Sequence, residues 1–171
     1  MTGDARAGES IAYIALGSNV GDRERHLRAA FAALRALRGI RDVVASRVYE
    51  TDPVGPGKQR PYLNAVARVT TELPPRDLLD ELLAIERSEG RERGGVRNAP
   101  RTLDLDLLAY GEREIDEPGL VVPHPRIAER AFVLEPLCDL APDLVLPGAG
   151  APVSALAAAV RDPAAVRVRE T

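Results

Sequence analysis

The chain has 171 residues, 45% of them hydrophobic, and a net charge of −3. That suits one ordinary domain with a real core and excludes a disordered chain. No apolar run approaches the roughly 18 residues of a membrane span, and an acidic balance with 4% aromatics argues against a nucleic-acid binder. The single cysteine, Cys138, excludes an internal disulfide and a zinc site; between Leu137 and Leu140 it reads as a buried packing thiol.

Residues 1–10 are small and polar, without the charged start and apolar stretch of a signal peptide, and are expected to form a disordered tail. Residues 11–171 then make one domain, and together these features point to the cytoplasm. The apolar run 11–16, ended by Gly17-Ser18-Asn19, predicts a buried strand and a turn. A helix is expected over 23–37, with Leu27, Phe31, Leu34 and Leu37 on one face and Asp22 as its cap. His26, beside Arg25 and Arg28, reads as solvated on its polar side. Residues 43–49 predict a second strand, 51–57 a turn-rich loop and 62–71 a third strand.

Pro74 and Pro75 open a second helix, with Leu78, Leu82 and Ile85 on one face and Gly90 at its end. An arginine-rich loop covers 91–100, and 102–110 alternates as a fourth strand. Pro123-His124-Pro125 is expected to be extended. A third helical stretch is predicted over 126–140, broken or kinked at Pro136, and a short alanine-rich helix over 153–160. The order β-α-β-β-α-β is that of a ferredoxin-like α+β sandwich, a mainly antiparallel sheet with helices packed on one face. The other face would stay free for ligands and inserted loops.

The sharpest chemical pattern is Arg101-Thr102-Leu103-Asp104-Leu105-Asp106-Leu107. On a strand the leucines face the core, and both carboxylates face the other way with Cα atoms about 6.6 Å apart. Such a pair repels itself unless solvated or bridged by a cation, and Mg²⁺ accepts one or two carboxylates plus substrate phosphates. Five arginines, Arg87, Arg91, Arg93, Arg97 and Arg101, precede the two aspartates. Acids beside arginines make a layout for phosphoryl transfer. Two ordinary acids on a solvated strand face remain the alternative.

The other candidates also carry two readings. Gly17-Ser18-Asn19-Val20-Gly21 lacks the Gly-Lys-Ser/Thr ending of a phosphate loop and reads as a plain turn. His124, fixed between prolines, is either a phosphate donor or a surface histidine. Tyr62 and Asn64 share a strand face and could stack on a flat heterocycle and bond its edge, with Phe132 on the second side. Their alternative is simple core packing.

Ala12-Tyr13-Ile14-Ala15-Leu16-Gly17-Ser18-Asn19, Pro61-Tyr62-Leu63-Asn64-Ala65, Ile85-Glu86 leading to Gly90-Arg91, the run Pro100 to Leu107, and Val122-Pro123-His124-Pro125 occur in this order. With these motifs the chain resembles the 6-hydroxymethyl-7,8-dihydropterin pyrophosphokinase family from Ile11 onward. The resemblance implies transfer of the β,γ-diphosphate of ATP, as co-substrate, to the pterin hydroxymethyl oxygen, with release of AMP, in folate biosynthesis. It implies two Mg²⁺ ions on Asp104 and Asp106 and a pterin pocket of Thr51, Val54, Tyr62, Asn64 and Phe132. The ATP side carries over to Glu86, Arg91, Arg93, Arg101, His124 and Arg130.

In-line attack on the β-phosphorus would be assisted by Arg91, Arg97 and Arg101. Asp106 or a metal-bound hydroxide would take the proton. The resemblance also implies a monomer or dimer that binds neither nucleic acid nor membrane. Two departures stand out. Asp52 occupies a position where many members have a second proline, and Asn98-Ala99 replaces a tryptophan-glycine pair. A metal-dependent nucleotidyltransferase or nuclease, and an RNA-binding module, are the rival readings.

Overall fold

In a computed structural model, residues 5–53, 60–90 and 102–169 are described. The first strand, β1 (Ser10–Ser18), begins one residue before the expected domain start and runs two beyond the expected strand end. Helix α1 (Arg23–Ala36) follows, with the Asp22 carboxylate accepting from the Arg25 N–H at 3.1 Å as the sequence predicts.

The expected strand over 43–49 is two strands, β2 (Ile40–Ala45) and β3 (Tyr49–Thr51). Ser46 causes the break. Its Oγ takes the place of a ladder carbonyl by accepting from the Val66 N–H at 2.8 Å, and its hydroxyl donates to the Arg47 carbonyl. Both strands pair with β4 (Tyr62–Thr71), β2 toward one end and β3 toward the other.

Helix α2 (Pro75–Ser88) begins at a proline whose missing N–H costs nothing in a first turn. The fourth expected strand is β5 (Asp104–Tyr110), which starts two residues later than the pattern indicates. A hairpin with no counterpart in the sequence pattern follows, β6 (Ile115–Glu117) and β7 (Leu120–Val122). The Val122–Pro123 bond is cis, and Pro125 lies in a turn rather than an extended run.

The third helical stretch breaks at Arg130 (φ −113°, ψ 93°), not at Pro136: a 3₁₀ turn (Ile127–Glu129) precedes α3 (Ala131–Leu140). Pro136 sits inside α3 among its buried residues. Helix α4 (Val153–Val160) lies where the alanine-rich stretch places it, and the chain then adds a short strand, β8 (Val166–Val168), that the pattern does not indicate.

The main sheet runs β5-β1-β4-β3-β8, with β2 also on β4, and its described pairings are antiparallel. Two cores lie on its two faces. On one, Leu27, Phe31 and Leu34 of α1 and Leu78, Leu82 and Ile85 of α2 pack against Ile14, Leu16, Ala65 and Leu105. On the other, Val133, Leu134 and Leu137 of α3 and Val153 and Ala157 of α4 pack against Tyr13, Val66 and Leu108. Each leucine buried this way contributes about 1.5–3 kcal/mol.

The second face is therefore not free, as expected, but covered by α3 and α4 at one end. The end that these two helices leave uncovered carries Gly17, Tyr62, Asn64, Asp104 and Asp106. Two smaller expectations also change. His26 is buried and its Nδ1 lies 2.9 Å from Glu89 Oε1, because the ring faces the end of α2. Cys138 is half-buried at the edge of the second core.

Candidate active site

Strand alternation builds the site. Leu103, Leu105 and Leu107 enter the first core, so Asp104 and Asp106 face the second side, each half-buried. In the sheet Gly17 stands opposite Asp104 on one side and Asn64 on the other. Adjacent strands lie about 4.8 Å apart, so this row of three residues spans roughly 10 Å.

Gly17 is the floor of the row. A Cβ there would come within 3.0 Å of Asn64 Nδ2 and 3.6 Å of the Tyr62 ring. The glycine expected to serve only a turn thus opens space between strands.

A β-bulge sets the third group. The β1–β5 register shifts between Tyr13 and Ile14, leaving Leu108 as an extra residue on β5. The Leu108 carbonyl accepts from the His124 N–H at 2.9 Å, which anchors the histidine to the outer edge of β5. His124 Nδ1 accepts from the Arg126 N–H at 3.2 Å, so a neutral ring keeps its proton on Nε2. Burial lowers the His124 pKa, Arg130 lowers it further, and Asp104 opposes them. Burial and Arg130 thus favour the neutral imidazole, which offers one N–H donor.

Two cavities meet here. The smaller, about 290 Å³, is lined by Gly17, Thr51, Tyr62, Asn64, Arg130 and Phe132. The larger, about 500 Å³, is lined by Leu79, Leu83, Glu86, Leu120, Val121 and Pro125. Asp104, Asp106 and His124 line both. Within the smaller cavity Thr51 Oγ1 and Asn64 Oδ1 are buried without a hydrogen-bond partner among the described residues. Such atoms cost about 1–3 kcal/mol each unless something pairs with them, so the cavity suits a flat molecule with polar edges.

Glu86 is 2% exposed, and its Oε2 accepts from the Leu105 N–H at 2.8 Å. The carboxylate satisfies the outer edge of β5 beside the larger cavity. Arg130, expected on the ATP side, lines the smaller cavity, with its guanidinium 5.7 Å from the Phe132 ring centroid. Val54, Arg91, Arg93, Arg97 and Arg101 lie outside the described residues.

Among the described residues no group of three or more His, Cys, Asp or Glu side chains is placed to hold a metal ion. Asp104 and Asp106 supply two hard oxygen donors, which fits Mg²⁺ completed by substrate phosphates and water. Sequence reasoning missed Gly17, Arg126 and the β6–β7 hairpin, whose Leu120 and Val121 give the larger cavity an apolar wall. The glycine could have been found from its place at the end of an apolar strand. The hairpin carried no such signal.

Residues 13–142 match the family model for 7,8-dihydro-6-hydroxymethylpterin-pyrophosphokinase. A 2-amino-4-hydroxy-6-hydroxymethyldihydropteridine pyrophosphokinase of Pseudomonas aeruginosa is 50% identical over 135 residues, 79% of this chain and 83% of the relative. The protein of that name from Bacillus subtilis is 47% identical over 131 residues, 77% of this chain and 78% of the relative.

A solved HPPK-DHPS structure in complex with substrates superposes with a TM-score of 0.71 over 94% of this chain at 12% identity. This chain spans 46% of that one, so the likeness establishes the α+β fold alone. The extent of the family match and the identity to these relatives together place the chain: it belongs to the 7,8-dihydro-6-hydroxymethylpterin-pyrophosphokinase family.

Proposed function

We propose that the protein transfers the β,γ-diphosphate of ATP to the hydroxymethyl oxygen of 6-hydroxymethyl-7,8-dihydropterin, releasing AMP, as a step of folate biosynthesis. The observation that carries this reading is the meeting of two cavities of different character at Asp104, Asp106 and His124. A transfer between two bound molecules needs such a junction, because holding both reactants in line removes much of the entropic barrier.

The smaller cavity takes the pterin. Asn64 and Thr51 bond the ring's polar edge, and Tyr62 and Phe132 lie against its faces. The larger groove takes ATP: Leu79, Leu83, Leu120 and Val121 contact the base, and the phosphates run toward the carboxylates. The neutral His124 donates to a phosphate oxygen, and Arg130 adds positive charge from the pterin side. Asp104 and Asp106 would hold Mg²⁺, two ions by the family resemblance, which neutralises phosphate charge and orients the diphosphate.

Asp106 is the acceptor we favour for the hydroxyl proton. Arg91, Arg97 and Arg101 act as stabilisers of the transferring group, with Arg93 and Glu86 on the ATP side and Val54 at the pterin. These assignments rest on their places in the motifs and, for Glu86, on its position in the larger cavity. The reading carries with it a cytoplasmic enzyme, monomer or dimer. No described helix is long and apolar enough to cross a membrane.

Incubating the protein with ATP, Mg²⁺ and the pterin and identifying the nucleotide product tests the reaction. AMP formed only with pterin present is the expected result. ADP would leave a kinase of another kind, and pyrophosphate release would favour a nucleotidyltransferase.

A further inference from the structure

The family match ends at residue 142, yet a segment beyond it is built into the sheet beside the smaller cavity. β8 pairs antiparallel with β3, with Thr51 opposite Val166, Glu50 opposite Arg167 and Tyr49 opposite Val168. The ladder continues past both ends of the strands. The Asp52 N–H donates to the Ala165 carbonyl at 2.9 Å, and the Arg169 N–H donates to the Val48 carbonyl at 2.8 Å.

Side chains repeat the connection. The Arg167 guanidinium donates to Asp52 Oδ1 from both terminal nitrogens, at 3.3 and 3.2 Å. Arg169 reaches Glu50 Oε2 at 3.2 Å and Glu24 Oε1, on α1, at 2.6 Å.

Thr51 and Asp52 form the rim of the smaller cavity, and Thr51 presents an Oγ1 that has no partner among the described residues. They end a strand of three residues, and a strand this short held from one side only would fray. β4 holds β3 on its inner edge and β8 holds the outer one. Position 52 is where the family resemblance leads one to expect a second proline. A proline has no N–H and could not make the bond to Ala165. Here the residue gives both its backbone N–H and its carboxylate to β8.

We propose that β8 is a strap that positions the Thr51–Asp52 rim for the pterin, with Arg167 as its main positioning residue. The proposal rests on reading the smaller cavity as the pterin pocket. Arg167 and Asp52 are both substantially exposed, with side chains 39% and 56% accessible, and such pairs add little to global stability. The strap should therefore show in pterin recognition rather than in the melting temperature.

The test compares full-length Arg167→Ala, Arg167→Lys and Arg167→Pro with the parent, measuring kcat, KM for each substrate and thermal melting. In an antiparallel ladder alternate residues carry the hydrogen bonds, and the bonds at 52/165 and 48/169 put Arg167 on the bonded row. Arg167→Pro thus breaks both ladder and ion pair, while Arg167→Ala spares the ladder.

We expect Arg167→Pro to raise the pterin KM roughly three- to tenfold, the size of one hydrogen bond, with the ATP KM unchanged. Arg167→Ala should give a smaller rise and Arg167→Lys should recover part of it. An unchanged pterin KM in Arg167→Pro with parental melting overturns the strap, and so do equal rises for both substrates. If Arg167→Pro does not fold, an unchanged pterin KM in Arg167→Ala overturns it. Asn64→Ala serves as control. If it too leaves pterin affinity unchanged, the assignment of the cavity falls and the strap with it; if it alone weakens pterin binding, only the strap falls.

Discussion

Asp104 and Asp106 are legible as a pair because strand alternation by itself puts both carboxylates on one face. What each carboxylate meets across the sheet is not legible, since Gly17, Asn64 and His124 arrive from three other places in the chain. Gly17 looks like a turn residue until Asn64 is seen on the neighbouring strand, 3.0 Å from where a Cβ would stand. His26 misleads in the same way: its helix face reads as polar, but Glu89 from the end of α2 closes over it at 2.9 Å. If the two aspartates hold the cation that carries the phosphates, Asp104→Asn and Asp106→Asn keep shape while removing charge. Each should lower turnover by on the order of a hundredfold or more, with a native far-UV spectrum. Near-parental turnover of both variants at saturating Mg²⁺ would refute the assignment.

At the scale of elements, α3 carries Phe132 and β3 carries Thr51, so their mutual placement sets the width of the smaller cavity. One network joins them. The buried Tyr49 hydroxyl donates to Asp139 at 3.0 Å, and Arg47 donates to the same carboxylate at 2.8 Å and 3.2 Å. Burial, the bond to Asp139 and the charge of Asp139 push the Tyr49 pKa up to about 12, although Arg47 pulls the other way. Its stabilising effect is therefore complete below the ordinary tyrosine range near 10 and is lost as pH rises through about 12. Tyr49→Phe should cost about 1–2 kcal/mol in urea melts at pH 8 and should flatten the loss of stability between pH 10 and 12. A variant whose alkaline decline parallels the parent would show that the link does not matter. This network is invisible in the sequence because Tyr49 and Asp139 stand 90 residues apart. The strand over 62–71 is fully legible from its own apolar pattern, whereas β3 and β8, three residues each, become strands only by pairing.

Across the whole molecule one sheet serves two cores, and the active site takes the end of the second face that α3 and α4 leave uncovered. The βαββαβ order predicts the first core well, because α1 and α2 each carry a clear apolar stripe. It does not predict the second. The clue lies in β5, where Leu107-Leu108-Ala109 interrupts the alternation; the bulge at Leu108 turns that residue and Ala109 into the second core. Because β1, β4 and β5 contribute to both cores, neither layer can lose its packing without exposing the back of the other. The molecule should therefore unfold in one step. Leu34 of α1 and Leu137 of α3 are both fully buried, one in each core. Leu34→Ala and Leu137→Ala should each cost about 2–5 kcal/mol, and because the two leucines belong to separate cores their effects should add within about 0.5 kcal/mol. Far-UV circular dichroism and tyrosine fluorescence should trace the same urea transition in every variant. If in Leu137→Ala the fluorescence moves ahead of the dichroism, the α3–α4 layer melts by itself. The pterin wall at Phe132 would then belong to a separable layer rather than to the rigid sheet.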